Sequence, residues 1–526
     1  MAVINRISGL ASGLDVDQIV KDLMRSYQMR IDKVKQNKQI WQWRQEDYRA
    51  INTSLLSLRN TVFDLRLQRT FLARKVSSSD ENIVTVSVSS SSVPASYQVR
   101  VKQLATVATN CSAGRISKID DPIDTSASLW SQRDKFLNDN FGWTEDNQFS
   151  FTINGEVFTF DGDTDSLDSV IAAINNNEKA GVWAFYDAGT DRIALSTVKT
   201  GNNREGAEIQ VTGEFMTNVL QIDMANEKGG EDALFEINGL DGMTSHDNSY
   251  TVNGVTFSFK EADPEKTVFL TVENDIDAVV NSIKNFVDSY NKILEEINKK
   301  LNEPRYHDYA PLTEEQIQEG NLTDRQIDAW EDKARSGLLK GDPILGGVLA
   351  DMRRALASIV RSVTGEVTVT NGFEQYTTIA DRLSVIGITT GDYSERGKLH
   401  LDEGRLREAL QSNPEAVMEL FTRTRDAEGN EITDKSQQGI AVRLYDAVNN
   451  AMTRITGQAG SAGSLYDNSY ISRMLRQFDE RLDIMNDQYI RIEDRYYRQF
   501  TALEKAIAQM NTQSMWLTMQ FTSFLQ

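Results

Sequence analysis

The 526-residue chain holds one cysteine, Cys111, and three histidines, His246, His307 and His400. A single cysteine excludes an intrachain disulfide and a thiolate cluster for zinc. No histidine has a second His or Cys at ligand spacing, so His400 reads as structural or superficial. No stretch approaches the roughly 20 apolar residues of a membrane-spanning helix, which argues against membrane insertion. Residues 1–13 lack the basic segment and following apolar segment of a cleaved secretory signal, so the chain is expected either to stay inside the cell or to leave by a route that reads no such signal. Basic residues are outnumbered, 56 against 77, for a net charge of −21. That balance opposes a broad contact with nucleic-acid phosphates and suits a self-associating subunit that must stay soluble before it assembles.

The motifs of common catalytic sites are missing too. There is no Gly-x-Ser-x-Gly elbow, no Walker A loop and no dinucleotide-binding glycine fingerprint. Asp161, Asp163 and Asp165 imitate the opening of a calcium loop, but Ser166 stands where glycine is required and Ala172 where a bidentate glutamate should sit. No enzymatic activity, cofactor or metal is expected.

What the chain does have is two long apolar stripes, one near each end. From Ile19 the first runs Val20, Leu23, Tyr27, Ile31, Val34, Trp41, Tyr48, Ile51, Leu55, Leu58, Val62 and Leu65, in steps of three, four and seven that fall on one helical face. The second runs from Ile471 through Leu475, Phe478, Leu482, Met485, Tyr489, Ile492, Tyr496, Phe500, Leu503, Ile507 and Met510. At about 1.5 Å per residue each is a rod of roughly 60 to 70 Å, which no compact core swallows. The rods can pair with each other as an antiparallel stalk or pack against copies in neighbouring subunits; either way the rest of the chain hangs from one end. Ile19, Val20, Leu23, Tyr27, Ile31 and Val34, with Leu475, Phe478, Leu482, Met485, Tyr489, Ile492, Tyr496, Phe500, Leu503 and Ile507, are the candidate assembly interface. Two successive steps of four at Ile492, Tyr496 and Phe500 form a stutter, which favours a multi-helix layer over an ideal two-stranded coil.

Between the rods, Asp15 and Gln18 stand at capping-box spacing for the first helix. Val84, Val86 and Val88, then Tyr97, Val99 and Val101, alternate with polar residues across a serine run and Pro94, and read as a hairpin. Residues 105–269 read as mostly β. Three segments there end in Asn-Gly, Ser150 to Gly155, Phe235 to Gly239 and Ser249 to Gly254, and the first and last lead into Phe158/Phe160 and Phe257/Phe259. Asn-Gly between alternating runs is a strong hairpin signal, and the echo suggests a repeated β unit. A third helix is expected from about Asp275 to Leu301. Thr313 with Gln316 and Thr323 with Gln326 restart shorter helices after Pro304 and Pro311. Further helices are expected over 345–363, 402–411 and 440–455, with strands at 367–369 and 377–379. Gly457 to Ser464 is too rich in glycine for regular structure and reads as a hinge.

Several segments together resemble the flagellar filament capping family, also called hook-associated protein 2. They are Ile7-Ser8-Gly9-Leu10-Ala11-Ser12-Gly13-Leu14-Asp15, Gly337-Leu338-Leu339, Leu383 to Ile388, Gly397 to Asp402, Val417 to Phe421, and Glu493 to Asn511 in the last helix. Residues 106–230 carry no motif of that family. The resemblance implies an α+β multidomain chain with a long terminal α-helical coiled-coil stalk, a helix-rich middle domain and β-rich head domains. Its expected parts are helical legs at 1–75 and 465–526, an α/β leg-proximal domain of 76–105 and 270–456, a variable head of 106–230, a head of 231–269 with the hairpin repeat, and the hinge at 457–464. It further implies a homo-oligomeric ring, a pentamer or similar, at the extracellular tip of the flagellum. The implied partners are flagellin, the hook–filament junction protein, an export chaperone for the C-terminal helix and the flagellar export apparatus. A hook-junction or flagellin-like subunit, or a surface adhesin displayed on a stalk, are the alternatives.

Overall fold

The structure, a computed structural model, describes residues 13–524 except 90–91, 321, 362, 373, 462 and 464–466. The family segment at 7–12 and parts of the glycine-rich stretch therefore lie outside the described residues. The chain divides into two compact units, one of residues 1–71 with 276–526 and one of residues 72–275.

The first unit is built on helices. The N-terminal helix spans Val16–Leu65. Asp15 Oδ1 accepts the Gln18 amide at 3.0 Å, satisfying one orphan donor, while the Gln18 side chain turns forward to Asp22 at 3.1 Å. The helix ends at Leu65, the last position of the stripe, and the Thr70 hydroxyl donates to the Asp64 carbonyl. Its second half joins a large core with the helices Ile276–Asn302, Pro343–Ala357 and Ile440–Ala459. In the Ile276–Asn302 helix, Val279, Val280, Ile283, Phe286, Val287, Tyr290, Ile293, Leu294 and Ile297 are buried, as their spacing requires. Thr313 opens the short helix Glu314–Glu319 with reciprocal bonds, its amide donating to Gln316 Oε1 and its hydroxyl accepting the Gln316 amide, and Thr323 opens Asp324–Arg335 with its amide and hydroxyl both donating to Gln326 Oε1.

Three expected boundaries move. The helix expected over 345–363 runs Pro343–Ala357, because Ser358 is extended and Arg443 takes the carbonyls of Ser358 and Ile359. The helix expected over 402–411 runs Glu403–Ser412 and is followed at once by another, Pro414–Thr422, which Pro414 opens as its locked φ and missing amide allow at a first helical position. Gly457 does not end the preceding helix, which continues to Ala459. The strands Glu366–Asn371 and Glu374–Ile379 pair antiparallel.

The second unit has two cores. One lies between a five-stranded antiparallel sheet, in the order Arg74–Ser78, Val268–Asn274, Ala95–Gln103, Ala233–Ile237, Leu240–Ser245, and a three-stranded sheet of Ser249–Val252, Val255–Phe259 and Val84–Val88. The hairpin expected between Val84–Val88 and Ala95–Gln103 does not form. Both strands point valines into the same core, but from two sheets, so each pairs with a strand much later in the chain. This pairing also places 74–103 with 233–274, in place of the expected grouping of 76–105 with 270–456. The other core gathers Phe136, Phe141, Phe149, Phe151, Phe158, Phe160 and Phe215 under two three-stranded sheets. It includes a helix, Leu167–Asn176, that the β reading passed over: Ser166 caps it and Leu167, Val170 and Ile174 are its buried side. All three Asn-Gly turns are two-residue hairpin turns, with Asn154, Asn238 and Asn253 at φ of 53°, 51° and 51°.

Candidate assembly interface on the terminal helices

The C-terminal helix spans Tyr470–Phe524 and packs antiparallel against the N-terminal helix. Near their root, the Trp41 and Tyr470 rings meet edge to face at 5.9 Å. The buried Gln45 amide donates to Ser472 Oγ at 2.8 Å and to the Ala459 carbonyl at 3.1 Å. Arg49 pairs with Asp467 at 2.8 Å. Burial opposes ionisation of Asp467, yet its bonds from Ser472 and Ser469 and the Arg49 charge prevail and hold the carboxyl below its usual range.

Farther out the contact narrows. Ile31 and Val34 meet Leu482, with Phe478, Met485 and Tyr489 half-buried around them, and Lys38 pairs with Asp479. Beyond that, Val16, Val20 and Met24 meet Tyr489, Ile492, Tyr496, Tyr497 and Phe500, the stutter residues among them. The Tyr497 hydroxyl donates to Asp17 at 3.0 Å. Burial, then the carboxylates of Glu493, Glu315 and Asp32, push the Tyr489 phenol above its ordinary range.

Of the sixteen candidate positions, Val20, Ile31, Val34 and Leu482 are buried within the chain. Ile19, Tyr27, Leu475, Phe478, Met485, Tyr489, Ile492, Tyr496, Phe500 and Ile507 are half-buried. Leu23 and Leu503 are exposed, at 42% and 44%. Val16 and Met24 were missed, although each stands four residues from Val20 and the i, i+4 row would have found them. Trp43 and Asp47 face the other side of the N-terminal helix. Trp43 packs on Ala334 and Leu338, and Asp47 Oδ1 meets Lys300 and Arg335, each at 3.1 Å.

The C-terminal helix continues past this contact. From Ala506 to Gln526 the sequence carries no charged residue, and Met510, Met515, Trp516 and Leu517 along it are all exposed. The other family-like segments are packing elements. Leu339, Ile386, Ile388, Leu399, Val417 and Phe421 are core residues, and Gly387, at φ +88°, has the Asp402 carbonyl 2.8 Å from where a Cβ would stand. Among the described residues no group of three or more His, Cys, Asp or Glu side chains is arranged to hold a metal ion.

The model of the flagellar hook-associated protein 2 C-terminus matches residues 230–512, and that of the N-terminus of the same protein matches residues 12–108. The chain belongs to the flagellar hook-associated protein 2 family, the filament caps. A flagellar hook-associated protein 2 of Halalkalibacterium halodurans is 32% identical over 97% of this chain and 98% of its own length. One of Thermotoga maritima is 23% identical over 98% and 95%. The crystal structure of the D1-D2-D3 domains of the Escherichia coli flagellar cap protein shares the fold, with a TM-score of 0.51 at 18% identity, over 82% of this chain and 99% of that one. The two family models leave 109–229 unmatched, the segment that holds the phenylalanine-rich core. Like its relatives in this family of structural caps, the chain is not an enzyme.

Proposed function

We propose that this cap subunit assembles into a homo-oligomeric ring, a pentamer or similar, at the distal tip of the flagellar filament, where it promotes folding and insertion of exported flagellin and prevents its loss. The terminal helices carry the contacts between subunits and with the filament or hook–filament junction. The observation behind this is the uncharged last third of the C-terminal helix, from Ala506 on, where Met510, Met515, Trp516 and Leu517 stand in water in the single chain; burying them against neighbours is favourable in proportion to the area removed from water. The chain reaches the tip through the export apparatus and the flagellar channel, its C-terminal helix shielded beforehand by an export chaperone. Having no disulfide to reduce suits that route.

Polar substitution at two or more of Val20, Leu23, Leu482 and Tyr489 tests the reading. Ring formation and filament attachment, scored by light scattering and electron microscopy, are expected to fail while residues 72–275 remain folded; normal filaments from such a mutant would overturn it. Deleting the gene is expected to release flagellin as monomer into the medium.

A second reading, a surface adhesin, draws on Trp183 and Phe185. These neighbours on one strand are exposed, with ring centroids 5.6 Å apart. Their planes are inclined by 39°, and exposed aromatic faces of this kind suit the apolar face of a sugar. Loss of glycan binding in Trp183→Ala with Phe185→Ala, with capping intact, would support it.

A further inference from the structure

Arg443 stands in the first turn of the Ile440–Ala459 helix and is 7% exposed. Its guanidinium stays protonated and brings five N–H donors. Nη2 donates to the Ser358 carbonyl at 2.8 Å and Nη1 to the Ile359 carbonyl at 3.3 Å, closing the end of the Pro343–Ala357 helix. Nε is buried and finds no acceptor among the described residues. Burial alone acts on the group's titration, lowering its pKa with no carboxylate to offset it. A buried cation without a counter-charge is costly, and helix-end carbonyls supply only partial charge.

A cavity of about 420 Å³ opens beside this side chain, lined also by Asp351, Arg354, Ser358, Lys435 and Ser436. Three cations thus face one carboxylate. That carboxylate is already divided, Asp351 pairing with Arg354 at 3.0 Å and with Arg454 at 2.6 Å. In a chain of net charge −21, a pocket with a surplus of positive charge runs against the whole-molecule balance and cannot be put down to composition.

We propose that this cavity binds a small tetrahedral oxyanion, phosphate or sulfate, held by Arg443 at the floor and by Arg354 and Lys435 at the rim. The three donors come from three elements: the Pro343–Ala357 helix, the loop at 425–439 and the Ile440–Ala459 helix. A tetrahedral anion offers oxygens in all three directions, whereas a carboxylate offers two in one plane, and the guanidinium fork suits bidentate contact with such oxygens. Occupancy would tie the long loop to both helices.

Calorimetric titration of the full chain with inorganic phosphate and with sulfate, at ionic strength fixed by sodium chloride, tests the assignment. Saturable binding of both is expected, with sodium acetate at least about tenfold weaker for want of the third oxygen direction. The double variant Arg354→Ala with Lys435→Ala removes only the rim and is expected to weaken phosphate binding about tenfold or more. Arg443→Met is expected to abolish binding, but it also removes a helix cap, so the rim variant decides if that protein fails to fold. Absence of saturable binding, equal affinity for acetate, or unchanged affinity in the folded rim variant would each overturn the proposal.

Discussion

The inner and outer halves of the N-terminal helix carry one continuous apolar stripe and are held in different ways. From Tyr48 to Leu65 the stripe enters a core shared with several other helices, and Leu55, Leu58 and Val62 are fully buried there. From Val16 to Val34 its apolar packing, among the described residues, is against the C-terminal helix, in two small clusters that share Tyr489. The pattern of sequence is the same in both halves; the number of neighbours is not. Burial in the inner half comes from several sides at once, while the outer half leaves Leu23 in water. A helix end with few buried contacts opens locally at low cost, so the outer half can order itself against other subunits without unfolding the rest.

Cavity formation should show the contrast most strongly. Leu58→Ala is expected to lower the stability of the first unit by about 2–5 kcal/mol, read from the urea midpoint, because the surrounding helices cannot collapse into the space. Failure to find a large loss would mean that the inner half is no better anchored than the outer. Next in size is Asp47→Ala. Asp47 is 4% exposed and its carboxylate bridges Lys300 and Arg335, so removal leaves them only the outer carboxylates Glu303 and Glu46, at 3.8 and 3.0 Å. Since both partners reach solvent, the expected loss is about 1–3 kcal/mol, below that for a fully buried pair. Asp47→Asn should recover part of it.

The junction of the two terminal helices is expected to depend on pH. The folded state depresses the pKa of Asp467, so its contribution is complete above the unfolded value near pH 4 and is lost as pH falls below that through the folded value. Acidification below about pH 4 should therefore loosen the segment that docks on Arg49 and change the fluorescence of Trp41 beside Tyr470. Asp467→Asn should remove that step from the titration; a step that persists in the variant would have to come from another carboxylate.

Much of this architecture was legible because it is local. Helix starts were written in Asp15, Thr313 and Thr323 with their downstream glutamines, and hairpin turns in three Asn-Gly pairs, since those residues act on their own backbone. Alternation at Val84–Val88 and Tyr97–Val101 told which side faces a core but not which strand lies alongside, because pairing is decided by residues more than a hundred positions away. The burial of Trp43 and Asp47 was hidden for a related reason: a second layer covers a face that the main stripe does not mark. The assembly surface was half legible. Periodicity gives the apolar side of a helix, yet it does not say which members the partner within the chain covers and which are left for other chains.

Leu23 and Met24 bring that ambiguity to a single step. They are adjacent, about 100° apart on the helix, and equally acceptable to an apolar stripe, yet Met24 is 1% exposed against the C-terminal helix and Leu23 is 42% exposed. Met24→Ala is expected to cost the isolated chain less than about 1 kcal/mol in global stability, since the outer half can open alone, while hydrogen exchange over 16–34 quickens. Leu23→Ala should stay within about 0.5 kcal/mol and leave exchange unchanged, as an exposed substitution does. In the assembled cap the order is expected to reverse, with Leu23→Ala impairing ring formation more than its effect on the monomer allows. Equal and negligible effects of Leu23→Ala in monomer and assembly would remove Leu23 from the interface and leave the buried stripe as intramolecular packing only.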